Sequence, residues 1–170
     1  MSDSSPVPEQ YHPSLFKRLL VALYDSLLVL ATVFVASALT LPFTSGEAAS
    51  TNNIYMTLYL LAVIYIFFGW FWTHGGQTLG MRAWKQQLVQ FDGSPVNWQQ
   101  AFIRFISALP AWSLFLIGLI LWIKPEVAET LTSIPGWIFA LGGFIWVLLD
   151  SRSHNWRDKI SGTHVILVKK

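Results

Sequence analysis

The feature that most constrains this chain is a set of long apolar runs without charge. Residues 54–72, 105–123 and 134–149 contain no Asp, Glu, Lys or Arg, and residues 15–41 contain only Lys17, Arg18 and Asp25. A bilayer core about 30 Å thick takes about 20 helical residues at about 1.5 Å each. Three runs reach that length, and Thr132 and Ser133 extend the fourth into the interface. The runs therefore predict an all-α membrane protein with four transmembrane helices, at about 15–41, 54–72, 105–123 and 132–149. Composition agrees, since charged residues make up 12% of the chain, about half the usual share of a soluble domain. A soluble enzyme and a nucleic-acid binder are both poor readings of such a surface. The absence of cysteine excludes disulfide frameworks, Cys-ligated zinc, iron–sulfur clusters and thiol chemistry. No cofactor is indicated, and a catalytic role is not expected.

Residues 1–14 are polar, carry Pro6, Pro8 and Pro13, and predict a disordered tail ahead of one membrane domain over 15–170. Lys17-Arg18 followed by an apolar run and Ala36-Ser37-Ala38 imitates a cleaved signal peptide. The run is too long for one and contains Asp25, so it reads as a retained span. Ten of the eleven basic residues fall before span 1, between spans 2 and 3, or after span 4; Lys124 is the exception. The other two loops hold Glu47, Glu126 and Glu129. By the positive-inside rule both termini are cytoplasmic. Trp70, Trp72, Trp112, Trp122 and Trp137 lie near span ends, as interfacial aromatics do.

The segments between spans carry their own structure. Gly75-Gly76 stops helix 2, residues 88–91 form a short strand, and Asp92-Gly93-Ser94-Pro95 signals a turn. Asn97 caps an amphipathic helix at 98–104 that feeds span 3. Residues 163–168 form a second strand suited to pair with the first, as a small cytoplasmic β element.

Asp25 is the sharpest chemical signal. A carboxylate inside an apolar span costs about 2.5–3.5 kcal/mol on insertion scales, so it needs a partner. Arg18, seven residues earlier, shares its helix face about 10 Å away along the axis. Two readings weigh equally: a proton or cation site, or a structural ion pair that fixes helix packing. Asp150 and Asp158 lie near the cytoplasmic end of span 4, where a solvated ion pair is the more ordinary role. His12, His74, His154 and His164 are scattered, so no metal site is expected. The glycine-rich 75–80 segment lacks the Lys-Ser/Thr of a phosphate loop and reads as a tight re-entry turn. Gly142-Gly143 is a close-packing site in span 4.

Three motifs in order resemble the RDD family of small bacterial membrane proteins, named for one Arg and two Asp. The first is Phe16-Lys17-Arg18-Leu19-Leu20-Val21-Ala22-Leu23-Tyr24-Asp25. The second is Gly76-Gln77-Thr78-Leu79-Gly80-Met81-Arg82, followed by a strand and Asp92-Gly93. The third is Trp156-Arg157-Asp158-Lys159-Ile160-Ser161-Gly162-Thr163. The resemblance covers about 15–168. It implies that Arg18, Asp25 and Asp158 are the family's named residues, with Asp150 secondary, and that Gly76, Gln77, Thr78, Gly80, Gly162 and Thr163 belong to its motifs. The family commonly has His before the last Asp; Arg157 stands there in this chain, which weakens a proton-relay role at that position. Transport, including cation/proton exchange, has been proposed for the family. Two functions follow as expectations: transport of H⁺ or a small cation, favoured slightly, or a non-catalytic module that organises a partner through its cytoplasmic motifs. Four helices are thin for a transport path, so transport implies a homo-oligomer or a membrane partner. Nucleic acid is not an expected partner.

Overall fold

The structure, a computed structural model, describes residues 13–43, 53–126, 134–150 and 156–168. The tail expected at 1–14 lies outside the described residues up to residue 12, as do Thr132, Ser133 and His154. Helix α1 (Leu15–Thr40) ends in a single 3-10 turn, Leu41–Phe43. Then come α2 (Ile54–Thr73), the short α3 (Leu79–Ala83), β1 (Gln86–Gln90) and α4 (Trp98–Ile123). The last described elements are α5 (Gly136–Asp150), α6 (Trp156–Ser161) and β2 (Thr163–Leu167).

Among the described residues, three helices are long and apolar enough to cross a membrane: α1 with its turn, α2 and α4. Helix α5 is equally apolar but has 15 residues, a rise of about 22 Å against about 30 Å of hydrocarbon. It begins at Gly136 rather than the expected 132, because Pro135 biases Ile134 before it away from helical backbone; Ile138 N donates to Pro135 O at 3.0 Å. The expected helical membrane protein with a small β element is thus present, with three full-length helices and one short one.

These helices invert the usual soluble pattern. In α2 the buried residue is Gly69, while Ile54, Leu58, Ile66 and Trp70 are exposed. Leu23, Leu27, Leu30 and Phe34 form an exposed ridge along α1. Apolar patches of that extent mark a surface that meets lipid rather than water. Helix α4 runs unbroken from the amphipathic segment into the span. Asn97 Oδ1 accepts from Gln100 N (2.9 Å) while Gln100 Oε1 accepts from Asn97 N (3.2 Å), a reciprocal N-terminal cap. Pro110 lies inside α4 and removes one intrahelical donor.

Helices α4 and α5 pack backbone to backbone. A Cβ on Gly118 would collide with Ala140 N, one on Gly136 with the Leu121 carbonyl carbon, and one on Gly143 with Phe115 N. Gly142, by contrast, has only Leu114 Cδ2 at 4.0 Å. Of the expected glycine pair, Gly143 makes the close approach.

The compact core lies at one end of the helices. Val21, Met81, Leu88, Val96, Ala101 and Val165 form it, with Trp72 and Trp84 packed against them. The two strands pair antiparallel from Gln86 opposite Leu167 to Gln90 opposite Thr163. This is the expected pairing, with β1 starting two residues earlier. The turn after β1 folds back on it: Gln90 N donates to Ser94 O and Gly93 N to Gln90 O, each at 3.0 Å. Asp92 Oδ1 accepts from Ser94 Oγ (2.6 Å) and Ser94 N (2.9 Å), and these bonds hold its carboxyl below the usual carboxylate range.

Candidate functional site

Two buried polar ties fasten the sheet end of the molecule to the long helices. The first centres on Asp25, which is 6% exposed. Its Oδ2 accepts from Thr78 Oγ1 at 2.5 Å and its Oδ1 from Gly80 N at 3.0 Å. Thr78 Oγ1 in turn accepts from Met81 N at 3.1 Å, so one hydroxyl both caps α3 and serves Asp25. A carboxylate at the first turn of a helix also meets the favourable end of its dipole. Short hydrogen bonds of this kind offset part of the desolvation of the group.

The spacing of the Gly76–Gly80 segment now has a physical explanation. Gly76 adopts φ +68°, its carbonyl accepts from Leu88 N at 2.7 Å, and a Cβ there would collide with Leu88 O. Gln77 Nε2 donates to Gln86 O at 2.7 Å. Thr78 and Gly80 then hold Asp25. A Cβ on Gly80 would sit 2.7 Å from Asp25 Oδ1 and 2.9 Å from Val21 O, so glycine lets α3 touch α1. The segment joins β1 on one side to α1 on the other.

The second tie centres on Arg104. Its Nη1 meets Asp158 Oδ1 at 2.7 Å and Thr163 Oγ1 at 2.9 Å. Ser161 Oγ lies 2.7 Å from Thr163 Oγ1 and donates to Arg157 O at 2.8 Å. Arg104 is 5% exposed and Asp158 fully buried. Gly162 takes φ +65° between α6 and β2, a conformation suited to glycine. It sets Thr163 beside the ion pair. The last motif thereby clamps α4, α6 and β2 together.

Arg18 is one expected partner for Asp25; the hydrogen bonds that hold Asp25 come from Thr78 and Gly80. Helix α3 delivers these neutral donors directly to it. Arg18 is half-buried two turns earlier on α1. Asp158 is not a solvated interfacial carboxylate but one half of a buried pair. Asp150 closes α5, and its side chain lies outside the described residues. Arg104, absent from the residues singled out in the sequence, is central here. Its signal was helical phase: Ala101, Arg104, Phe105 and Ala111 share the buried face of α4, and an arginine on such a face requires an acid.

His74 ends α2, stacked on Trp70 with ring centroids 3.8 Å apart. His164 is buried on β2, stacked on Phe91 at 5.3 Å. Among the described residues no group of three or more His, Asp or Glu could hold a metal ion. An apolar crevice of about 450 Å³ lies between α1 and α2, with Ala31, Val35, Leu39, Tyr59 and Val63 on its walls. It contains neither Asp25 nor Arg104.

A family model described as RDD family matches residues 12–162. No curated protein and no solved structure matches the chain.

Proposed function

Since the chain belongs to the RDD family, a family reading that its apolar helices extend to a membrane protein, we propose that it is a non-catalytic membrane module. Its fastened sheet end serves as a platform for a membrane partner or a second copy. The observation that carries this reading is the state of Asp25. Both carboxylate oxygens are occupied by donors of the chain itself, and the group is buried. An ion-transporting carboxylate faces a water-filled path. An anchor needs what Asp25 has.

The same reading takes α5 as a fourth span. Helix α4 leaves the polar end at Arg104, and α6 returns to that end at Asp158. The chain between them has to travel out and back, and α5 packed along α4 supplies the return. The basic residues Lys17, Arg82, Lys85 and Lys159 are exposed toward this end, which supports placing both termini on the cytoplasmic side of a bacterial inner membrane.

Purified protein in proteoliposomes loaded in turn with H⁺-, Na⁺- and K⁺-sensitive dyes tests the reading. The expected result is no H⁺, Na⁺ or K⁺ flux above empty vesicles, while Asp25→Asn lowers thermal stability. Flux that is lost in a stably folded Asp25→Asn variant would overturn the anchor and establish transport.

A further inference from the structure

Contacts between helices set their relative heights. Tyr65 Oη donates to Trp98 O at 3.2 Å, and the Trp98 ring lies so close to Gly69 that a Cβ there would be 2.5 Å from Cζ3. The first turn of α4 is therefore level with the second half of α2, short of its end at Thr73. Arg104 lies six residues further along α4, about 9 Å deeper at 1.5 Å per residue. Helix α2 has 20 residues without a charge, a length of about 30 Å that matches the hydrocarbon core. The Arg104–Asp158 pair is thus alongside α2 rather than beyond its end, and it pins α6 at that level.

Helix α6 has two faces. Asp158 and Ser161 point into the protein and are buried. Trp156 and Ile160, one turn apart, point the other way and are 39% and 57% exposed. Lys159 is exposed beside them. On α4, Trp98, Phe102 and Ile106, which bracket Arg104 in sequence, form an exposed apolar stripe. A face with Trp and Ile flanked by Lys, held at that depth, matches the chemistry of the boundary between acyl chains and headgroups.

We propose that the outward face of α6 is a membrane-interface anchor: Trp156 and Ile160 enter the acyl–headgroup boundary, and Lys159 meets the phosphates of anionic lipids. The inference rests on the membrane placement proposed above. It adds that the sheet end is partly sunk in the leaflet instead of standing clear of it.

The chain contains no cysteine, so single nitroxide labels can be placed without background. Ile160→Cys, Phe102→Cys and Gln87→Cys are compared in nanodiscs of zwitterionic lipid with and without phosphatidylglycerol, using oxygen and a water-soluble nickel chelate as collision probes. Trp156→Cys serves as a second α6 position. The label at 160 is expected between Phe102, which meets lipid, and Gln87, which is half-buried on the sheet away from the long helices' apolar faces. Lys159→Ser in the Ile160→Cys background is expected to move the label toward water in anionic discs alone. A label at 160 as aqueous as that at 87 would overturn the anchor. Shielding from both probes would also overturn it, because protein would then cover the face. An unchanged profile in the Lys159→Ser background overturns the phosphate contact. If Phe102 itself reads as aqueous, the membrane placement has failed and the anchor falls with it.

Discussion

Thr78 carries more of the Asp25 tie than its size suggests, because one oxygen both donates to the carboxylate and accepts from Met81 N. Thr78→Val keeps the shape and removes both bonds. Loss of a helix cap costs about 0.5–2 kcal/mol, and loss of a hydrogen bond to a charged group about 1.5–3 kcal/mol. The expected result is a clear drop in the unfolding midpoint in detergent or nanodiscs, with Thr78→Ser near wild type. Equal stability of the two variants would show that the hydroxyl is idle. The Arg104–Asp158 pair makes a separate prediction. Arg104→Met alone strands a buried carboxylate and should cost about 3–5 kcal/mol. Combining it with Asp158→Asn removes both charges and should recover a large part of that loss. A double variant no more stable than the single one would refute mutual dependence.

At the level of elements, apolar runs without charge made the long helices legible, and the turn and cap residues marked β1 and the start of α4. Their signals are local: a run of about 20 apolar residues or an Asn three residues before Gln needs no tertiary context. The ties were less legible because they join residues 53 to 59 positions apart, and charge alone offered Arg18 as the nearer partner for Asp25. The donors that Asp25 uses are a hydroxyl and a backbone N–H, which no charge count detects. Helical phase was the other hidden quantity. Adjacent residues on a helix point about 100° apart, so Gly142-Gly143 could be recognised as a packing pair without showing which one meets α4. The structure assigns that role to Gly143, against the Phe115 backbone. Gly143→Ala should therefore separate α4 from α5 and lower thermal stability. Gly142→Ala should be neutral or stabilising by up to about 1 kcal/mol through helix propensity. The reverse order would mean the α4–α5 register is wrong.

For the whole molecule, the two ties and the charge distribution point to one polar end. The first turns of α1, the end of α2, the start of α4, and α6 meet around one small core, while the opposite end carries the 3-10 turn after α1, the end of α4 and the start of α5. Among the described basic residues, Lys17, Arg18, Arg82, Lys85, Arg104, Arg157 and Lys159 belong to segments at the polar end. Basic loops resist export, so this end is expected in the cytoplasm. Reporter fusions after Gly93 and Lys170 should read cytoplasmic, and fusions at Glu47 and Glu126 periplasmic. The fusion after Lys170 bears most directly on α5. If its 15 residues complete a crossing with the chain ahead of them, Glu126 and Lys170 fall on opposite sides. If α5 dips in and out without crossing, both read the same. Because α6 is tied to Arg104 by a buried ion pair, the non-crossing outcome would need α4 to stop short as well, and α4 has 26 residues. Replacing both Lys17 and Arg18 by Gln should leave the topology unchanged, since Arg82, Lys85, Arg104, Arg157 and Lys159 remain on that side. A periplasmic Lys170 reporter in the unaltered chain would defeat the four-span arrangement.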